Sequence, residues 1–263
     1  MLEADQATTS GGVRVKIDAG VAVVTIDRPD VRNAIGFTTV AELGAALDGI
    51  LNSNAAVVVL RGGGERAFVS GGDLKELAAI RTHEAAVDMA TRVRQLLDRV
   101  AGFPLPVIAA LNGHALGGGA EVAIAADIRI AADDVKIGFN QVTLGIMPAW
   151  GGAERLAHTV GRSRALLAIA TGEVYDAPTA RGFGLIDIVV PRATFDDEWR
   201  GLARRLAALA PGTTRAVKAV IAAAVPSLHP ELAADAADEF ARLWTADAHW
   251  AAVEAMEQKR RTG

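Results

Sequence analysis

The chain has 263 residues, a length suited to one large domain or a domain with an appendage; 51% are hydrophobic and the mean hydropathy is +0.26, so a sizeable core can form. A net charge of −4 and a pI near 5.8 argue against a broad nucleic-acid footprint, and the short Lys259-Arg260-Arg261 cluster reads as cations at a helix C-terminus. With no cysteine, disulfides, thiolate zinc sites and a cysteine nucleophile are all excluded. No apolar run reaches the roughly 18 residues of a membrane span. Met1 to Gly12 is acidic, small and polar, and reads as a disordered or flexible leader rather than a secretory signal. A cytoplasmic protein is the simplest reading.

Val13 to Ile17 alternates as a half-buried strand, the Asp18-Ala19-Gly20 turn follows, and Val21 to Ile26 is a second strand, so a hairpin opens the fold. Arg28-Pro29-Asp30 breaks that pattern. Val40, Leu43, Leu47 and Ile50 carry helical periodicity from Thr38 onward. A buried-type strand over Ala56 to Leu60 closes at Arg61-Gly62-Gly63-Gly64. The glycine-bearing stretch Phe68-Val69-Ser70-Gly71-Gly72-Asp73-Leu74 then leads into helical residues Lys75 to Ile80. A long amphipathic helix covers about His83 to Ala101, stopped by Pro104 and Pro106, and Val107 to Leu111 is another buried strand. Further strands fall at Ile128 to Ala131 and Val135 to Phe139, and no strand candidate remains after Val190. Strand, glycine turn and helix recur, which predicts α/β architecture with active groups on loops at strand ends. We divide the chain into a leader (1–12), a core carrying the site (13–194) and an alanine-rich helical region (195–263).

The chemistry concentrates in Asn112-Gly113-His114-Ala115-Leu116-Gly117-Gly118-Gly119-Ala120-Glu121. Glycine lets a backbone N–H approach a ligand closely, and the first N–H groups of a helix are unsatisfied and lie at its positive end. An oxygen developing negative charge would fit there. Glu121 falls one turn after Gly118 on the same face, within reach of chemistry held at the glycines.

In order and spacing, these motifs resemble the crotonase superfamily, also called the enoyl-CoA hydratase/isomerase family. The resemblance runs from Ile26-Asp27-Arg28-Pro29 through Phe68 to Leu74 and Asn112 to Glu121. It continues through Ala126 to Ala131, Leu144 to Pro148, Gly151 to Leu156 and Gly184 to Asp187, to the closing Glu254 to Arg261. It implies a spiral of repeated ββα units, C-terminal helices that build a homotrimer or a dimer of trimers, and an acyl-coenzyme A thioester as substrate. No metal is expected, and no cofactor beyond the coenzyme A of the substrate; the acidic balance and the lack of a membrane-length apolar run leave neither a nucleic-acid nor a membrane partner expected. The amides of Gly72 and Gly118 would stabilise a thioester enolate. Arg32, Ala34, Ser70, Gly72, Asp73, Leu74 and Lys75 would line the coenzyme A path, with an ordinary surface cation the alternative for Arg32 and Lys75, and a helix N-cap the alternative for Asp73. The resemblance would put His114 and Trp150 in the substrate pocket, Trp150 either as packing beneath the acyl group or, since family decarboxylases resemble Trp150-Gly151-Gly152, as a sign of decarboxylation. Ala78 to Val93 would set acyl length.

Family hydratases use two glutamates. Glu121 matches the first; at the second, alignment of Ile137-Gly138-Phe139-Asn140 puts Gln141. A glutamine can orient water, yet it has no useful acid or base function near neutral pH. Three chemistries stay open: hydration with Glu121 as the sole acid/base group, double-bond migration through Glu121, and decarboxylation of a malonyl-type thioester with Gln141 on the leaving carboxylate. A non-catalytic acyl-CoA-binding protein is the reading from a different class.

Overall fold

In the computed structural model of the chain, residues 6–210, 212–224 and 230–262 are described. The chain begins as a three-stranded meander: β1 (Gln6–Ser10) pairs antiparallel with β2 (Val13–Asp18), from Ser10 opposite Val13 to Gln6 opposite Ile17, and β2 pairs with β3 (Val21–Ile26). Residues 6–12 are therefore an edge strand and its turn, not the flexible leader expected from their polarity; Met1 to Asp5 lie outside the described residues. An edge strand needs no apolar face, Thr8 and Thr9 are β-branched, and Gly11 supplies the positive φ (+54°) of the turn.

After β3 come α1 (Phe37–Leu51) and β4 (Val57–Gly62), so the first two residues of the expected glycine turn belong to the strand. Next are β5 (Ala67–Val69), the four-residue α2 (Leu74–Leu77) and α3 (His83–Ala101). The helix expected over Lys75 to Ile80 is thus shorter and starts one residue earlier, because Asp73 caps it and the chain turns away to bury Ile80. Thr82 caps α3, accepting from Ala85 N at 3.2 Å, and its inner face buries Met89, Val93, Leu96, Leu97 and Val100.

β6 (Val107–Leu111), β7 (His114–Leu116) and α4 (Gly118–Ala125) follow, then β8 (Ile128–Ala132), β9 (Lys136–Gly138), a 3₁₀ turn at Asn140–Leu144, α5 (Gly152–Val160) and α6 (Arg162–Thr171). β10 (Tyr175–Asp176), α7 (Ala177–Gly182) and β11 (Ile188–Val190) complete the core. Four helices close the chain: α8 (Phe195–Ala207), α9 (Thr213–Ala224), α10 (Pro230–Trp244) and α11 (Asp247–Thr262).

Two sheets result. One runs β1-β2-β3-β4-β6-β8-β11, parallel from β3 onward; the other runs β10-β9-β7-β5, parallel from β9 to β5. The chain passes from the first sheet to the second and out to helix three times: β4 to β5 to α3, β6 to β7 to α4, β8 to β9 to α5. Each pass advances one strand in both sheets, which is the expected spiral of ββα units. β4 and β6 are continuous apolar runs because both their faces are covered.

Buried polar side chains hold the crossings between sheets. Asn33, fully buried at φ +58°, accepts from Arg28 N (2.9 Å) and donates to Gly63 O (3.0 Å) and Ala67 O (2.8 Å). Asn112 accepts from Gly62 N (2.9 Å) and donates to Gly64 O (2.7 Å). Asn33→Ala strands three backbone groups and leaves alanine at positive φ. It should lower the unfolding free energy by about 2–4 kcal/mol in urea titration; a loss below about 0.5 kcal/mol would show that these bonds do not hold the crossing.

Candidate active site

The spiral brings the two glycine segments side by side. Ile35 bridges the first in parallel fashion: Ile35 N donates to Gly71 O and Asp73 N to Ile35 O, both at 2.8 Å. Backbone groups alternate in direction along an extended segment, so the Gly72 N–H faces the opposite way, away from Ile35. In the second, Gly117 adopts φ +57°, ψ −121°, a conformation open to glycine, and its amide donates to Gly138 O at 2.9 Å. Gly118 is the first residue of α4, so its N–H has no carbonyl within the helix. Neither the Gly72 nor the Gly118 amide has an acceptor among the described residues.

Trp150 lies against both glycines. A Cβ on Gly118 would overlap the six-membered ring, and one on Gly72 would stand 3.7 Å from Cη2. The indole is nearly buried and lines a cavity of about 620 Å³ that also contains Gly72, Gly118, Glu121 and Gln141. It therefore walls the two amides directly.

Glu121, on the first turn of α4, is 2% exposed. Its Oε2 accepts from Trp150 N (2.8 Å) and Gly152 N (2.9 Å), and its Oε1 from Gln141 Nε2 (2.9 Å). Burial drives the carboxyl upward to about 7, against the pull of the two amides and of Arg155. A group that titrates there can take a proton and return it. Since two N–H donors already occupy Oε2, the proton belongs on Oε1.

Gln141 is also buried. With its amide nitrogen given to Glu121, its Oε1 has no hydrogen-bond partner. The 3₁₀ turn that carries it is held from behind by α11, where the buried His249 donates Nδ1–H to Leu144 O at 2.6 Å; burial depresses the imidazole and favours its neutral form.

Of the residues expected on the coenzyme A path, Arg32, Ser70, Gly72 and Leu74 line the cavity, as does His114, whose Nδ1 accepts from Lys136 N at 3.1 Å. Ala34, Asp73 and Lys75 do not line it. Ala34 is buried with its carbonyl on Arg28 Nη1 (2.6 Å), and Lys75 points to solvent. Asp73 caps α2 through Lys75 N (3.2 Å) and pairs with Arg28 Nη2 (2.8 Å), the N-cap alternative. From the stretch Ala78 to Val93, Met89 reaches the cavity.

The apolar end holds residues that no sequence motif marks. Phe240 and Trp244 of α10 and Met256 of α11 close it, with Trp244 Nε1 tied to Ile80 O at 3.0 Å. The helical region is thus part of the pocket wall. Only an aromatic and methionine content in otherwise alanine-rich helices hints at this. Arg192 also lines the cavity, donating to Asn112 O (2.7 Å) and pairing with Asp134.

Two free amides beside a buried carboxyl raised toward neutrality, in a cavity with one apolar end, are an arrangement that can stabilise an oxyanion next to a proton transfer. A model of the enoyl-CoA hydratase/isomerase family matches residues 16–260, and the chain belongs to that family, whose members act on acyl-CoA substrates. It is 36% identical over 203 residues to a probable enoyl-CoA hydratase of Bacillus subtilis (strain 168), covering 76% of this chain and 78% of that protein. It is also 36% identical to a short-chain-enoyl-CoA hydratase of Clostridium acetobutylicum, over 76% of this chain and 77% of the relative. The crystal structure of an enoyl-CoA hydratase from Bacillus anthracis superposes with a TM-score of 0.79 at 32% identity, covering 95% and 97% of the two chains.

The raised carboxyl has a stability signature. In the folded protein Glu121 binds its proton more tightly than in the unfolded chain, so its favourable contribution is complete below about pH 4.5 and is lost as pH rises through about 7. Glu121→Gln removes that penalty. Its advantage in thermal melts should be largest at pH 8–9, on the order of 3 kcal/mol, and should shrink as the pH falls from 7 toward 5. A difference independent of pH would mean that Glu121 does not titrate near neutrality.

Proposed function

We propose that the protein hydrates a 2-enoyl-CoA thioester with Glu121 as its only acid/base carboxylate. The observation that carries this reading is the Glu121–Gln141 pair: one amide bond joins them, and each leaves an oxygen lone pair free. Glu121 Oε1 removes one proton from a water molecule while the water oxygen bonds to C3. The C2=C3 electron pair moves toward the thioester oxygen, where the amides of Gly72 and Gly118 donate to it. Oε1–H then returns its proton to C2. The second water hydrogen, accepted by Gln141 Oε1, remains as the hydroxyl proton of the product. One water is consumed, the carboxylate is regenerated, and nothing is oxidised or reduced.

The same pair weighs against malonyl-type decarboxylation. Gln141 has given its donor to Glu121, so a substrate carboxylate would meet an acceptor oxygen beside a second carboxylate. Double-bond migration would use the same Oε1 differently: it would take a proton from C2 of a 3-enoyl thioester and return it to C4, with no water added. Arg32, Ser70, Leu74 and His114 form the coenzyme A side of the cavity in this reading, and Leu77, Met89, Phe240, Trp244 and Met256 the acyl side. We assign a homotrimer or dimer of trimers to the chain, supported by apolar side chains that remain uncovered: Val217, Val220 and Ile221 of α9 are 54–71% exposed, and Leu166 and Leu167 of α6 about 60%.

A thioester panel scored by mass for water addition, bond migration and CO2 release tests the assignment. Water should add to crotonyl-CoA. Glu121→Gln should lower that rate by about 10²–10⁴-fold while leaving thioester affinity nearly intact, and Gln141→Glu should raise it. CO2 release from methylmalonyl-CoA without hydration of crotonyl-CoA would overturn the assignment in favour of decarboxylation; tight binding with no turnover of any thioester would mark a non-catalytic protein.

A further inference from the structure

Behind Glu121, α3 and α5 bury alternating charges that do not line the cavity. Arg155 of α5, 8% exposed, donates Nη1–H to Trp150 O at 2.9 Å and pairs through Nη2 with Asp98 of α3. Arg94 of α3, 4% exposed, donates to Glu154 of α5 at 2.7 Å and stands 3.8 Å from Asp98. The acceptor of Arg155 and the two donors to Glu121 belong to one three-residue turn. Gly151 at its centre adopts φ +87°, which aims the Trp150 carbonyl at the guanidinium while the Trp150 and Gly152 amides aim at Oε2. A side chain at Gly151 would collide with Arg155, so turn and guanidinium are fitted to each other.

We propose that Arg155 is a positioning residue for the Glu121 carboxylate: held by Asp98, it fixes the Trp150–Gly152 turn whose amides bind Oε2, and so keeps Oε1 turned toward Gln141 and the substrate. Its charge acts on the same carboxyl. Arg155 favours the ionised form of Glu121 and Glu154 opposes it, while Asp98 and Arg94 sit on the far side of Arg155 and set how much of its charge Glu121 feels. The other charged groups facing into the cavity are Arg32, Glu65, Arg66, His114, Asp134 and Arg192. The inference rests on the acid/base role proposed for Glu121.

The pH profile of kcat/KM for enoyl-CoA hydration tests it, because its acidic limb follows ionisation of the base. Arg155→Met removes the cation, so the limb should move to higher pH by about one unit, with kcat down about tenfold or more and KM within about threefold. Asp98→Asn keeps a hydrogen-bond acceptor but unmasks the guanidinium, so the limb should move to lower pH. Arg155→Lys, which keeps the charge and loses the fork, should restore the limb but not the full kcat. A merely structural network would lower stability and activity in these variants without displacing the limb in opposite directions. Limbs that stay fixed, or move the same way in both variants, overturn the proposal. Should Arg155→Met fail to fold, Asp98→Asn decides alone, since Asp98 is half-exposed and an unmoved limb there is sufficient refutation. If the wild type hydrates no enoyl thioester, the hydratase reading fails by itself; opposite shifts of the Glu121 titration, followed by carbon-13 NMR of the labelled carboxyl, would still support Arg155.

Discussion

A carboxyl group with almost no contact with water sits at the centre of this molecule, and its neighbours are arranged to make that tolerable. Burial alone would keep Glu121 protonated; two backbone amides on Oε2 and the Arg155 guanidinium behind the turn pull it back until both protonation states are accessible near neutrality. The balance depends on distance. The donors come from two separate turns, so the group can function only when α4, the Trp150–Gly152 turn and the 3₁₀ turn at Asn140–Leu144 are all seated.

The spiral supplies that seating. Because every pass runs from one parallel sheet to the other before turning into helix, the ends of β5 and β7 lie next to each other, and the glycine segments that follow them meet although Gly72 and Gly118 are far apart in sequence. Glycine is needed there for closeness as much as for conformation, since the Trp150 ring rests on Gly118 with no space for a methyl group. The ring keeps one wall of the amide pair dry, which strengthens any hydrogen bond made to a developing oxyanion.

The C-terminal helices serve the site as well. α10 packs along α3 and pins Trp244 to the segment after α2, while α11 places His249 on the carbonyl of Leu144, three residues from Gln141. The helical region therefore shapes the apolar end of the cavity and steadies the glutamine. Among its uncovered apolar residues, Val217, Val220 and Ile221 lie on α9, which has no buried residues of its own.

Much of the fold was legible in the chain because its signals are local. The alternation of Val13 to Ile17, the 3.6-residue period of α3, and the glycine turn before Glu121 depend on neighbours a few residues away, and they placed most strands and the long helix; Gly72 was singled out through the family resemblance. The polar edge strand at Gln6–Ser10 was missed, since an edge strand carries no apolar face to betray it. Asp73 and Lys75 sat in the right motif, but one is spent on a helix cap and on Arg28 and the other faces solvent. By itself, then, the sequence determined the recurrence of strand, glycine turn and helix, the family and the identity of the carboxylate that lacks a carboxylate partner. Only the tertiary structure decided that Gln141 donates to Glu121 and leaves its oxygen free, that Arg155 holds the turn behind it, and that α10 and α11 wall the cavity. Apart from the bond of Arg155 to Trp150, five residues away, those arrangements rest on contacts between residues 20 to more than 150 positions apart, with Arg155 itself held by Asp98 at a separation of 57; packing and the desolvation it imposes set them, and no local pattern encodes them.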